Sequence, residues 1–480
     1  MSTSTPVPNP SPTAARRDAL GRYHRNLGRE HGFEPLRVEG TLPADLEGTL
    51  FRNGPMVYEN RGLRYQHVFD GDGGIYAVRM AGGQAQGAVR LVDTRERRRE
   101  RAAGKALYGS GLTPGPQWWR RPLNRSDRNA ANTNVMLWQK RLFALWEGGK
   151  PYELNTDDLA TRGLRDLGVI RGTLSAHPHR VPARKAQYNF GVRYGRATKL
   201  DLFEFPDAGP ARRLTSVRLP DWTAFLHDFA VTERHAVFFV PPARLRPLPM
   251  LLGLQTPLQS MRWLEDEPVQ VLVIPLDDPE RHVRFEVDSF YQYHVINAYE
   301  DGDTVVVELP WHERLPLQSL RLGTPGAAPP DTPDLDVRRV RIDVGRRRMT
   351  TEVLTPQELE LAVVSPRVLA QRHRYAYMLG EDDARIPGKL VKLDVQTGTT
   401  ETLEVGERCF CSEASFVPRR DGSDEDDGYL LSMVYDADTD RSALWVLDAR
   451  DIRAKPLARV HFGQHLPFAL HGLFAPLEGS

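Results

Sequence analysis

The chain has 480 residues, with 64 Lys and Arg against 63 Asp and Glu, and two cysteines. Near-neutral charge leaves no electrostatic footprint for nucleic acid, and no apolar run is long enough to span a bilayer. Two cysteines are too few for a disulfide framework and fit a reducing, cytoplasmic compartment.

Residues 1–15 are rich in Ser, Thr and Pro and lack the apolar core of a secretory signal. We expect residues 1–18 to be a disordered arm and residues 19–480 to be a single domain. Helical periodicity is scarce; Arg16–His24 and Pro257–Leu264 are the candidates. Strand signals dominate. Leu142–Trp146, Ala236–Val240, Val271–Ile274, Thr304–Val307 and Tyr429–Val434 are short, β-branched or aromatic, and bounded by turn residues. Seven turn sequences recur: Ala81–Gly83, Leu154–Asp157, Pro206–Gly209, Leu276–Asp278, Ile342–Gly345, Asp394–Gly398 and Leu447–Arg450. Their spacing is about that of a four-stranded blade, which predicts an all-β chain and favours a propeller over a sandwich. Ala327–Pro333 and Arg419–Asp427 read as surface loops. Cys409 and Cys411 read as residues of one strand rather than as a disulfide or a zinc site.

Of 14 histidines, four stand in unusual settings. They are His177 in Leu174–Pro178, His227 in Phe225–Ala230, His294 in Tyr293–Glu300, and His471 in Pro467–Phe474. A lone histidine among apolar residues is more often a hydrogen-bonded core residue than a ligand. Here three fall in successive intervals between turns and the fourth follows the last turn. In a propeller every such interval sends a strand to one axis, so the four can meet there and hold a metal. His471 then requires the tail to return to the middle of a closed fold. His24, His31, His179, His235, His282, His312, His373, His461 and His465 lie in polar or loop-like surroundings and are assigned to no metal. His67 precedes Asp70-Gly71-Asp72-Gly73, which lacks the spacing of a calcium loop and reads as a turn.

The motifs then match a family. Arg52-Asn53-Gly54-Pro55, Phe69-Asp70-Gly71-Asp72-Gly73, Asn132-Thr133-Asn134, Leu145-Trp146-Glu147-Gly148-Gly149, Ser175-Ala176-His177-Pro178, His227-Asp228-Phe229-Ala230, His294 with Asn297-Ala298-Tyr299-Glu300, Ser412-Glu413, Asp426-Asp427-Gly428 and His471-Gly472 stand in order along the chain. Together they resemble the carotenoid cleavage oxygenases, most of all the bacterial apocarotenoid oxygenases, from about Gly40 onward. The resemblance implies a seven-bladed propeller, with short helices and loops forming a cap over the iron-binding axis. It implies Fe(2+) held by His177, His227, His294 and His471, with no carboxylate ligand. It implies Glu147, Glu413 and Glu360 behind those histidines, where carboxylates fix the imidazole tautomers and offset the metal's charge. Glu360 stands in Glu360-Leu361-Ala362, where the family has Glu-x-Pro, and Glu358 is its alternative. Thr133 matches a threonine that restricts an open iron position. Cut at the seven turns, the chain holds Glu147, His177, His227, His294, Glu360, Glu413 and His471 in successive intervals.

The activity implied is dioxygen-dependent cleavage of a C=C bond of a carotenoid or apocarotenoid into two carbonyl products, a central cut giving a retinal-like aldehyde. Stilbenoid cleavage is the alternative within the family. That branch typically has a lysine where this chain has Trp146, and an apolar residue there favours a polyene over a phenol. Retinoid isomerisation and hydrolysis fits less well with the short bacterial-like loops, and a carotenoid-binding propeller without catalysis is the reading outside enzymology. Two apolar stretches flanked by arginine, 245–263 and 117–121, suit peripheral contact with a membrane that holds the lipophilic substrate.

Overall fold

Each of the seven expected turns lies between two paired antiparallel strands. A computed structural model describes residues 12–116, 128–195, 197–315, 335–381 and 387–477. Residues 1–11 of the expected arm and the expected loop Ala327–Pro333 lie outside these ranges. Among the described residues, seven sheets form the blades of a seven-bladed β-propeller, and two two-stranded ribbons lie outside them. The second to sixth blades are four-stranded, for example Asn297–Asp301, Thr304–His312, Leu335–Asp343 and Arg348–Thr355 in the fifth. In every blade the expected turn joins the third strand from the axis to the fourth. At Ala81–Gln84 it is closed by Gly82 and Gly83, both at positive φ (55° and 72°), as a two-residue hairpin turn requires.

Packing explains why the middle strands are apolar throughout rather than alternating. Successive side chains on a strand point to opposite faces, and here each face meets a different neighbour. In Val269–Pro275, Leu272 and Ile274 pack with Phe190, Leu200 and Leu202 of the third blade. Val269, Val271 and Val273 pack with Val305, Val307 and Val340 of the fifth. The same arrangement repeats between every adjacent pair of blades, so the core is a ring of inter-blade layers. Fully burying one such side chain stabilises the fold by about 1.5–3 kcal/mol.

Two strand additions close the ring. His471–Pro476 pairs with Gly48–Val57 in the first blade, with His471 opposite Asn53. Arg37–Gly40 pairs with Ala458–His461 in the last. The ends of the chain therefore exchange strands across the closure.

The expected helix Arg16–His24 is present as Pro12–Tyr23, and the other helical segments depart from expectation. The arm expected to be disordered to residue 18 is helical from Pro12, in a helix Pro12–Tyr23. Its docking residues supply the reason: Ala19 and Tyr23 are buried, and Tyr23 stacks on Tyr435 at 4.8 Å and on Phe410 at 5.8 Å. Pro257–Leu264 is not a helix. A single turn, Ser260 N–H to Thr256 C=O, leads into strand Met261–Trp263, which pairs with Ala243–Leu245. A helix that hydrophobic periodicity does not mark spans Arg95–Ala103, capped by the Thr94 hydroxyl and ended by Gly104 at φ 68°. Its buried face carries Glu96 and Glu100, and Glu100 pairs with the buried Arg128 at 2.8 Å. Away from the blades, Ala224, Ala243 and Met261 gather with Phe225, Leu258 and Trp263 into a small apolar cluster of loop and insertion residues.

Candidate metal centre

The four singled-out histidines come from four blades, and each is delivered by a loop or strand end with its backbone tied down. His177 lies just before strand His179–Val181. The Ser175 hydroxyl accepts the His177 N–H (3.1 Å) and donates to the His227 carbonyl (3.0 Å), joining two of the four positions. The Asp228 carboxylate accepts the Val295 N–H at 2.9 Å, joining His227 to His294. The His471 N–H donates to the Thr133 carbonyl at 3.2 Å.

The imidazoles converge. His177 Nε2 is 3.0 Å from His227 Nε2, which is 3.3 Å from His294 Nε2. These three could hold a metal ion. The His471 ring lies beside them, its centroid 4.8 Å from that of His177 and 5.0 Å from that of His294.

Behind the rings stand the three glutamates. Glu147 meets His227 Nδ1. Glu360 Oε2 lies 2.6 Å from His294 Nδ1, and Glu413 Oε1 lies 2.9 Å from His471 Nδ1. Among the described residues His177 has no carboxylate partner. Burial pushes the His177 imidazole well below its usual range, and the neighbouring histidines add to that. Burial also lowers His471, against the pull of Glu413. His294 is raised: burial opposes its charge, but Glu360 outweighs burial. Glu360 and Glu413 are both held below the carboxylate range. Burial opposes their ionisation, but His294 prevails at the first, and His471 with Arg52 at the second.

Known proteins resemble this chain along nearly its whole length. The family described as retinal pigment epithelial membrane protein matches residues 25–476. Apocarotenoid-15,15'-oxygenase of Synechocystis is 33% identical, over 99% of this chain and 100% of the relative. Isoeugenol monooxygenase of Pseudomonas putida is 31% identical, over 91% of this chain and 93% of the relative. The crystal structure of cobalt-substituted Synechocystis ACO matches with a TM-score of 0.90 at 31% identity, covering 96% of this chain and 99% of that one. The chain belongs to the carotenoid cleavage oxygenase family.

The donor set of this carotenoid cleavage oxygenase homologue fits a divalent metal. An ionised carboxylate only accepts, so Nδ1 of His227, His294 and His471 carries the proton and Nε2 presents a lone pair. At 3.3 Å the lone pairs of His227 and His294 face one another. Facing lone pairs repel unless a cation lies between them, and imidazole suits iron, zinc, copper and nickel.

Sequence reasoning missed two members of the network. Arg52 stood in a motif without a role; it is buried, donating to Glu413 Oε2 at 2.9 Å and to the Leu470 carbonyl at 2.8 Å. His312 was read as lying in polar surroundings. It is buried, with Nε2 at 2.9 Å from Glu360 Oε1. The signal for it was its place at the end of the apolar run Thr304–Trp311. His373 was read in the same way and is also buried, against Glu308 at 2.9 Å and Asn297 at 3.3 Å. Thr133 is buried, and its hydroxyl donates to Asn132 at 3.1 Å. Gly148 is explained by Trp146: a Cβ there would lie 2.3 Å from the indole ring, which folds over it. Leu248, Leu252 and Leu254, inside the stretch 245–263, are exposed. The stretch 117–121 lies outside the described residues.

Proposed function

We propose that the chain is a non-haem iron(II) dioxygenase that cleaves a C=C bond of an apocarotenoid or carotenoid into two carbonyl products, with a central cut giving a retinal-like aldehyde. The observation that carries this reading is the convergence of four imidazoles, three of them backed by a carboxylate on Nδ1. His177, His227, His294 and His471 would hold the ion. Iron(II) supplies the open coordination that activates dioxygen. Glu147, Glu360 and Glu413 would offset the charge of the ion, and Arg52 offsets part of theirs. A buried centre left with net charge would be costly.

The chain's own residues position the substrate and keep water away. Aromatic rings line one side of the imidazoles: Tyr293 is edge-on to His227 at 5.3 Å, Phe225 stacks on it at 6.0 Å, and Tyr291 is edge-on to Tyr293 at 4.9 Å. Burial raises the Tyr291 and Tyr293 phenols, so neither is a base. That wall suits a conjugated hydrocarbon held by dispersion and excludes water from the double bond. Thr133, whose carbonyl accepts the His471 N–H, would restrict an open metal position, as its match to the family's threonine implies.

The lipophilic substrate reaches the site, on this reading, through peripheral membrane contact by exposed Leu248, Leu252 and Leu254. Among the described residues no helix is long and apolar enough to cross a membrane. The two free thiols, Cys409 and Cys411, support a cytoplasmic location.

A second reading, cleavage of a phenolic alkene, is favoured by the similarity to isoeugenol monooxygenase. Trp146 immediately before Glu147 speaks against a phenol site. The test is to incubate iron-loaded protein in air with an apocarotenal and, separately, with a hydroxystilbene and isoeugenol, and to weigh the products by mass. A retinal-sized aldehyde from the first alone is expected. Phenolic aldehydes would replace the polyene reading, and iron-loaded protein inert to all would point to a binding role.

A further inference from the structure

Of the carboxylates behind the imidazoles, Glu360 is the one set on a strand, Leu359–Val363, where it lies opposite Leu379. Strand register breaks between Glu360 and Val363, and the next residue, Leu361, is left-handed at φ 54°. A non-glycine residue there is strained and persists only where its surroundings over-determine it. Such a carboxylate needs its side chain held from elsewhere. It receives three donors. His294 Nδ1 reaches Oε2 at 2.6 Å, the Leu361 N–H reaches Oε2 at 3.1 Å, and His312 Nε2 reaches Oε1 at 2.9 Å. Among the described residues only His312 occupies Oε1.

His312 is itself rigid. It ends strand Thr304–His312 opposite Leu335. Two further backbone bonds, both 2.8 Å, tie it to Tyr291, three residues before His294. The side chain is buried, and the Tyr293 ring packs edge-on to it at 5.5 Å. One backbone frame therefore fixes both His294 and the group that orients its carboxylate. Glu413 is held in the same manner, with His471 on one oxygen and Arg52 on the other.

We propose that His312 is a positioning residue for the metal centre. Its Nε2–H locks Glu360 so that Glu360 fixes the tautomer and aim of His294. The inference rests on the reading of His294 as a metal ligand. Removing partners of this kind typically weakens metal binding about 10–100-fold.

The test uses metal-free full-length protein titrated with cobalt(II) and iron(II) against a competing chelator, with the visible spectrum of the cobalt form recorded. His312→Phe keeps a ring and removes the donor. It is expected to bind metal about tenfold or more weakly and to alter the cobalt spectrum, while the metal-free protein melts as wild type does. His312→Gln, which restores an N–H, is expected to recover most of the affinity and the spectrum. Should the phenylalanine variant not fold, His312→Asn, whose amide is too short to reach Glu360, takes its place. Wild-type affinity and spectrum in the variant without a donor overturn the proposal. Equal losses in the Phe and Gln variants also overturn it, since packing alone would then be responsible. Wild-type protein that holds no metal overturns the ligand reading and this inference with it.

Discussion

Arg52 shows how much of the centre depends on one side chain. It is buried, and it is the only guanidinium among the described residues that touches Glu413. Arg52→Met would leave Glu413 buried beside His471 without its counter-charge. Breaking a buried pair in this way costs about 3–5 kcal/mol, and urea unfolding of the metal-free protein would measure it. The four histidines were legible because each stood among apolar residues, where an imidazole needs a reason to be. The structure brings them together with Glu147, Glu360 and Glu413, and it is Glu360 rather than its alternative Glu358 that meets His294. Arg52 and His312 were not legible as parts of the network. Their partners lie 361 and 48 residues away, and polar neighbours such as Glu313 and Arg314 make His312 look like a surface residue.

Strands announced themselves through β-branched and aromatic runs, because each middle strand has two apolar faces to fill. Among helices, Arg16–His24 was legible and the others were not. Arg95–Ala103 buries carboxylates rather than a leucine stripe, so hydrophobic periodicity is silent and only Thr94 and Gly104 mark its ends. Pro257–Leu264 carries a helix-like apolar spacing, yet pairing of Met261–Trp263 with Ala243–Leu245 overrides it. Between those strands the short helix Pro247–Leu251 and the turn after it expose Leu248, Leu252 and Leu254. Replacing the three with serine should lower binding to phosphatidylcholine vesicles in a flotation assay. Burying a leucine side chain is worth about 1.5–3 kcal/mol, so the loss should exceed tenfold. Cleavage of a detergent-dispersed substrate should change little.

At the scale of the whole molecule, turn spacing favoured a propeller and the family resemblance implied its seven blades, but neither showed which strands pair to close the ring. Closure depends on pairing between residues more than 400 positions apart, such as Asn53 with His471, and nothing local encodes that register. Gly472 makes the close approach possible: a Cβ there would sit 2.2 Å from the Phe51 carbonyl oxygen. Gly472→Ala should destabilise the protein by about 1–3 kcal/mol, seen as a lower melting temperature, and loosen metal retention next door at His471. Gly32→Ala, where a Cβ meets nothing within 4 Å, is the matched control and should be near neutral. The two-faced middle strands carry a consequence for copying errors. In a sheet with one wet face, a one-residue slip drowns the core side and is punished at once. In Val269–Pro275 the same slip would merely trade Leu272 and Ile274 for Val271 and Val273 between two equally greasy neighbours. Grease therefore cannot proofread such a strand. An inserted or deleted residue in its turn, at Leu276–Asp278, is the kind of lesion to which this architecture is most exposed, even when every apolar residue is left intact.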